Sequence, residues 1–172
     1  MNWYIINKDY IKFLQTFDSK VGFVEYGDKT KLHIGVLLEI NDYKYYVPIS
    51  SPKEKHKRMN NGLDFHKLID PLTNTFYAVI NLNNMIPVPD DCVTLLKYDE
   101  IENYRSFTNK NEQINYIYLL QKEKAIIDNL EEILQSKAKK LFAKVKANRE
   151  SSLARRCCDF ELLQEKSTQF IK

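Results

Sequence analysis

The chain has 172 residues, 44% of them hydrophobic and 12% aromatic, with a formal net charge of +3. This is enough apolar mass for one buried core, and with only four glycines and five prolines it excludes a linker-rich or disordered chain. No apolar run approaches a membrane span, and MNWYIINKDYIKFL is broken by Asn7, Lys8 and Asp9 before a signal-like core accumulates, so a cytoplasmic protein without a membrane partner is expected.

Residues 2–6 are a short β-prone run. Asn7 or Asp9 can cap a helix in which Tyr10, Ile11, Phe13, Leu14 and Phe17 recur at helical spacing. Residues 18–31 are polar and read as a loop. LHIGVLLEI (32–40) and KYYVPI (44–49) flank Asn41-Asp42 and predict a β-hairpin whose second strand carries Pro48 near its end. LDFHKLI and TFYAVINL predict a second strand pair around Asp70-Pro71 and Asn74, and residues 92–96 a last edge strand.

From about residue 97 the β signals fade and helical periodicity takes over. Asn109 or Asn111 can start the first helix, and Asp128 can start a second or sit within a bend. Ile126, Ile127, Leu130, Ile133, Leu134, Ala138, Leu141, Phe142 and Val145 form one apolar stripe, and a short final helix follows Asp159. Strands first and helices later predict one α+β domain over 1–172, β-rich to residue 96 and helix-rich from 97.

Signals for bound cofactors are missing. The three cysteines, Cys92, Cys157 and Cys158, form no CxxC pair, and His33, His56 and His66 have no zinc spacing. No glycine-rich phosphate loop or hydrolase motif occurs in a matching context. Reduced thiols, no metal and no cofactor are expected.

The charge distribution is more informative. Residues 53–67 carry Lys53, Lys55, Lys57, Arg58 and Lys67 against Glu54 and Asp64. Residues 137–156 carry eight lysines and arginines against Glu150 alone. Two basic segments on a nearly neutral chain predict a field aimed at an anion. In ISSPK, Pro48 and Pro52 bracket Ser50 and Ser51, and Lys53 follows. Two hydroxyls on a stiffened strand end, beside a lysine, can grip and stabilise a phosphodiester. An ordinary polar turn with solubilising lysines is the alternative. In the predicted hairpin the start of the first strand lies near the end of the second, which brings Lys31 and Tyr26 towards the serines.

These residues carry a resemblance. KLHIGVLLEINDYKYYVPISSPKEKH, then INLNNMIPVP, then CDFELLQEKSTQF, is similar to the ToxN/AbiQ family of type III toxin–antitoxin endoribonucleases over nearly the whole chain, least between 97 and 150. The resemblance implies a strongly bent antiparallel sheet with packed helices, a MazF/Kid-like toxin fold with a helical C-terminal half. It implies metal-independent RNA cleavage and abortive infection against phage. It also implies partners: cellular and phage RNA as substrates, and a small pseudoknotted RNA antitoxin cut from a repeat precursor and held in a hetero-oligomeric RNA–protein assembly.

Carried over by position, Ser51 falls on the family's essential serine and Ser50 on its neighbouring hydroxyl residue. Lys53 and Lys31 fall on family lysines, Tyr26 on a tyrosine upstream, and His56 on a histidine assigned to RNA binding. Lys55, Lys57 and Arg58, with Lys139, Lys140 and Lys144 of the second basic segment, are expected to track RNA phosphates. The competing class is a non-catalytic RNA-binding or interaction module that keeps the basic segments and has no active site.

Overall fold

The structure is a computed structural model that describes residues 1–22, 25–27 and 29–171, the side chains of Glu25 and Tyr26 excepted. The elements, in order, are β1 (Asn2–Ile6), α1 (Lys8–Gln15), β2 (Glu25–Tyr26), β3 (Lys29–Thr30), β4 (Leu32–Ile40), β5 (Tyr43–Ser50) and α2 (Glu54–Arg58). There follow β6 (His66–Ile69), β7 (Phe76–Ile80), β8 (Ile86–Pro87), β9 (Val93–Leu95), α3 (Lys110–Asn129), α4 (Glu131–Ala147), α5 (Ser152–Arg156) and α6 (Phe160–Ser167). This is the expected α+β class.

The sheet runs β6-β7-β5-β4-β1-β9, with β8 also paired to β5, while β2 and β3 form a separate hairpin. Every pairing is antiparallel. At the β4–β5 turn, Asn41 (φ 50°) and Asp42 (φ 67°) both take the left-handed conformation. That is the two-residue turn whose twist matches paired strands, and Asn and Asp tolerate it well. Further along β4 the register slips between Ile34 and Leu38. Gly35 lies in this irregular stretch, where a Cβ would collide with the Tyr46 ring.

Two expectations need correction. Residues 18–31 are not loop throughout, since β2 pairs with β3 there. The expected strand over 44–49 is present as β5, which runs through Pro48 to Ser50. Before the proline, Tyr45 and Tyr46 pair with β8; after it, Ile49 and Ser50 pair with β7. Pro48 sits where the ladder changes partner, a place that tolerates a missing N–H. The apolar stripe also breaks: Leu134, Ala138, Leu141, Phe142 and Val145 are buried, but Ile133 is 49% exposed. Only Leu130 separates α3 from α4, and that junction rotates Ile133 outward.

Caps explain the helix starts. The Asn7 side chain accepts the N–H groups of Asp9 and Tyr10 at 2.9 and 3.0 Å. Asn109 accepts the Glu112 N–H at 3.0 Å, and Asp159 accepts the Leu162 N–H at 3.1 Å. Asp128 lies in the last turn of α3. The helices pack on the sheet, α4 on β4, α3 on β6 and β7, and α6 on β8. Tyr45 is wholly buried, edge-on to Phe142 and Phe160, and its hydroxyl donates to the Phe160 carbonyl at 3.2 Å. Each such aromatic contributes roughly 1.5–3 kcal/mol by burial. Trp3 Nε1 donates to the Leu120 carbonyl at 3.1 Å, tying β1 to α3. All three cysteines are buried thiols.

Candidate active site

β4 and β5 bring the first residues of the site together. His33 stands opposite Pro48, so Lys31, two residues earlier, and Ser50, two residues later, lie at the same end of the hairpin. That end opens into a cleft of about 680 Å³ lined by Lys31, Ser50, Ser51, Lys53, Lys55 and His56. Ser50 is held from the neighbouring strand: Asn81, just past β7, donates from Nδ2 to Ser50 Oγ at 3.0 Å. Its backbone N–H donates to the Pro48 carbonyl at 3.3 Å. Ser51 is exposed to the cleft, and Lys53 follows at the start of α2.

The stretch Lys53–His56 closes on itself. The Lys53 N–H donates to His56 Nδ1 at 3.0 Å, and the His56 N–H donates to the Lys53 carbonyl at 2.8 Å. Histidine thus fills the place of the usual third-position Glu or Gln in a capping box. The ring is buried against Phe65, 5.4 Å between centroids. Burial, then the charges of Lys55, Lys53 and Lys67, lower its pKa. A neutral imidazole accepting at Nδ1 carries its proton on Nε2. His56 therefore positions the loop that presents Lys53 and Lys55.

The electrostatics single out Lys31. Burial, and secondarily the like charge of Lys53, push its ammonium down to about 8 from 10.5. His33, 4% exposed, is pushed down to about 3 by burial and then by Lys31. Its Nδ1 has no partner among the described residues. Tyr26 contributes its backbone to β2, paired with Lys29; its side chain lies outside the described residues.

The basic segments look different in three dimensions. Lys57 pairs with Glu54 at 2.6 Å, while Arg58 is exposed. In the second segment, Lys146 and Arg149 meet Glu161 at 2.8 and 2.6 Å, and Arg156 meets Asp64 at 3.0 Å. Lys137 donates to the Gly62 carbonyl at 2.8 Å. Charge counted along 137–156 thus overstates the field, because folding returns carboxylates from 64 and 161. Lys139, Lys140 and Lys144 are exposed on α4, and none of them lines the cleft.

Three cleft residues carried no assignment in the sequence reading. Asn81 lies in the quoted INLNN stretch but shows its role only through Ser50. Arg105 sits in the segment before α3, where the Thr30 N–H donates to the Tyr104 carbonyl at 2.9 Å and Lys29 bridges Arg105. This stitches the far wall of the cleft to the strand leading to Lys31. Glu123 is one of several acids on a long helix, and only its face of α3 distinguishes it.

The cleft combines two serine hydroxyls, a lysine of depressed pKa and a second lysine, a set suited to an oxyanion. A model of the ToxN toxin of type III toxin–antitoxin systems matches residues 2–168. The chain belongs to this family. It is 31% identical to the endoribonuclease ToxN of Pectobacterium atrosepticum, with 100% of this chain and 95% of that protein aligned. It is 29% identical to the endoribonuclease ToxN of Bacillus thuringiensis subsp. kurstaki, covering 98% and 83%. It is 24% identical to the endoribonuclease AbiQ of Lactococcus lactis subsp. lactis, covering 100% and 90%.

Solved structures agree. A structure described as a processed non-coding RNA regulating a bacterial antiviral system superposes with a TM-score of 0.84 at 30% identity, over 100% of both chains. That of AbiQ, a lactococcal anti-phage endoribonuclease of the type III systems, superposes at 0.81 and 26% identity, over 98% and 96%. The ToxN-family fold therefore extends through α3 and α4, where the sequence resemblance was least specific. Among the described residues no helix is long and apolar enough to cross a membrane.

Proposed function

We propose that this ToxN-family chain is an endoribonuclease toxin that cuts RNA, its repeat antitoxin precursor included, and mediates abortive infection against phage. The observation that carries this reading is the convergence of Lys31, Ser50, Ser51 and Lys53 in one cleft. The reaction is a transesterification. The ribose 2′ oxygen bonds to the adjacent phosphorus, the P–O5′ bond breaks, and the products are a 2′,3′-cyclic phosphate and a 5′-OH. Ser50, Ser51 and Lys53 hold the nonbridging oxygens and stabilise the extra charge of the pentavalent transition state. Lys31, with its pKa at about 8, takes the 2′ proton in its neutral form. Tyr26, at the position of a family tyrosine, is the candidate to return a proton to the 5′ oxygen. The charges come from side chains, so no metal is required.

Lys55, Lys57 and Arg58 grip the RNA beside the cleft, and Lys139, Lys140 and Lys144 extend the contact along α4. A solved relative described as selectively inhibited by a non-coding RNA pseudoknot supports a structured RNA antitoxin as the partner, held in an RNA–protein assembly in the cytoplasm. The test incubates purified protein with its precursor RNA in EDTA. Cleavage to cyclic-phosphate ends is expected, and a 2′-deoxy residue at the cut should abolish it. Binding without cleavage would assign the protein to non-catalytic RNA-binding modules, and metal-dependent cutting would sink the mechanism.

A further inference from the structure

Oxyanion-binding groups and an amine share one end of the cleft. Ser50, Ser51 and Lys53 come from the end of β5 and the residues after it, and Lys31, just before β4, reaches the same place. Lys53 is near enough for its charge to bear on the Lys31 ammonium. Such a cluster binds a phosphoryl group whether or not that group belongs to RNA. The cleft volume of about 680 Å³ lies within the roughly 300–1,000 Å³ typical of sites that enclose whole small molecules, so a small organic phosphate fits.

An amine beside a phosphate subsite can do more than take a proton. Lysine becomes a nucleophile when it is desolvated or stands next to another cation. Lys31 meets both conditions, since burial first and Lys53 second push its pKa down to about 8. Lys137 supplies the contrast. Burial lowers its pKa too, but its Nζ donates to the Gly62 carbonyl at 2.8 Å and meets His66 Nδ1 at 2.9 Å. It does not line the cleft. Position beside the serines and Lys53, and not basicity by itself, therefore sets Lys31 apart.

In an acyl phosphate the carbonyl carbon is one bridging oxygen away from phosphorus. A ribose carbon stands at the same separation from the scissile phosphorus of RNA. A phosphoryl group held by the serines and Lys53 therefore brings the acyl carbon to where Lys31 would meet a sugar. A reactant held at contact distance reacts as though the step were intramolecular. The hydroxyls and Lys53 also stabilise the negative charge that gathers on the departing phosphate.

We infer that Lys31 is an autoacylation site for acyl phosphates, whose phosphoryl group seats on Ser50, Ser51 and Lys53. The neutral Lys31 Nζ attacks the carbonyl carbon, and a C–N bond forms. The bond from that carbon to the bridging oxygen breaks, and inorganic phosphate leaves with the electron pair. The amine gives up one proton to water. Nothing is oxidised or reduced. The product is an amide, which cannot take the 2′ proton, so acylation silences cleavage. That consequence rests on the endoribonuclease reading of the cleft, whereas the acylation itself needs no RNA.

The experiment treats the purified protein with acetyl phosphate and maps the acetyl groups by peptide mass spectrometry. Lys31 should react about tenfold faster or more than any other lysine, Lys137 included, and inorganic phosphate should suppress its reaction. The comparison reagent is the N-hydroxysuccinimide ester of acetic acid, which carries no phosphate. The ratio of Lys31 to Lys137 labelling should be about tenfold larger with acetyl phosphate than with the ester. The double variant Ser50→Ala, Ser51→Ala should lose the lead with acetyl phosphate and keep its reactivity towards the ester. An acetyl phosphate map without a Lys31 lead, or a ratio equal for the two reagents, overturns the site. So does a folded double variant with an unchanged acetyl phosphate map. If the variant does not fold, the two reagents on wild-type protein still decide. Complete Lys31 acetylation with undiminished cutting overturns the silencing. Protein that cuts no RNA yet acetylates first at Lys31 refutes the endoribonuclease reading and leaves the site standing. Protein that cuts RNA and shows no Lys31 lead does the reverse.

Discussion

Lys31 offers the sharpest test of the mechanism. At a pKa of about 8, about one Lys31 in eleven is neutral at pH 7; at the ordinary value of about 10.4 the fraction is below about one in a thousand. Burial in the cleft therefore raises the supply of neutral amine by a factor on the order of a hundred or more. If neutral Lys31 removes the 2′ proton, single-turnover cleavage should rise about tenfold per pH unit up to pH 8 and then level off. Lys31→Ala should lower the rate about 10²–10⁴-fold. Lys31→Arg should fall nearly as far, because a guanidinium keeps the charge but does not deprotonate. Lys53→Met removes the second cause of the shift, so the inflection of the pH profile should move upward. The assay is cleavage of an end-labelled precursor RNA from pH 6 to pH 9. A Lys31→Arg protein of near wild-type rate, or a profile that falls through pH 8, would show that Lys31 acts only as a cation and refute the proton-transfer role.

Ser51→Ala should abolish cleavage while leaving antitoxin binding intact, and retained toxicity would remove this serine from the mechanism. Asn81→Ala releases Ser50 Oγ from its 3.0 Å hydrogen bond and should slow cleavage by about two- to tenfold, the range one modest hydrogen bond allows; an unchanged rate would mean that Ser50 needs no positioning. Lys55→Ala and Arg58→Ala should each flatten the log–log salt dependence of RNA affinity by about 0.7–0.9, and slopes equal to wild type would place the RNA elsewhere. Glu123 has a stability signature. Its folded pKa, about 7 against 4.5, lies above the unfolded value, so the folded protein holds the extra proton between those limits. Stability from this group is lost as pH rises through that window, by about 3 kcal/mol in full. Glu123→Gln should therefore melt higher than wild type at pH 8 and show little difference near pH 4.5, and a gap that does not grow with pH would contradict the burial argument.

Much of the fold was legible because its signals are local. Asn41-Asp42 between two β-branched runs marks a turn with two left-handed residues. Asn7, Asn109 and Asp159 mark helix starts because each supplies an acceptor to N–H groups two or three residues on. The hairpin carried the site further: once β4 and β5 pair, Lys31 must approach Ser50 and Ser51. Pro48 fits inside β5 because its missing N–H falls where the ladder changes partner from β8 to β7. Ile133 misled because a one-residue junction between helices turns the following face.

The sequence by itself determined the hairpin and its serine–lysine end, which rest on neighbours within a few tens of residues, and membership of the ToxN family, which the match over residues 2–168 carries. Tertiary structure alone decided the rest. It set Asn81 on Ser50 across two strands, buried His56 under the loop it caps, and lowered Lys31 by removing water from around it. It paired Lys146, Arg149 and Arg156 of the second basic segment with carboxylates from Asp64 and Glu161. It also buried Glu123 in the cleft wall with no hydrogen-bond or ion-pair partner among the described residues. Each of these depends on burial or on contacts across the fold, and neither burial nor a distant partner is encoded in any short stretch of chain.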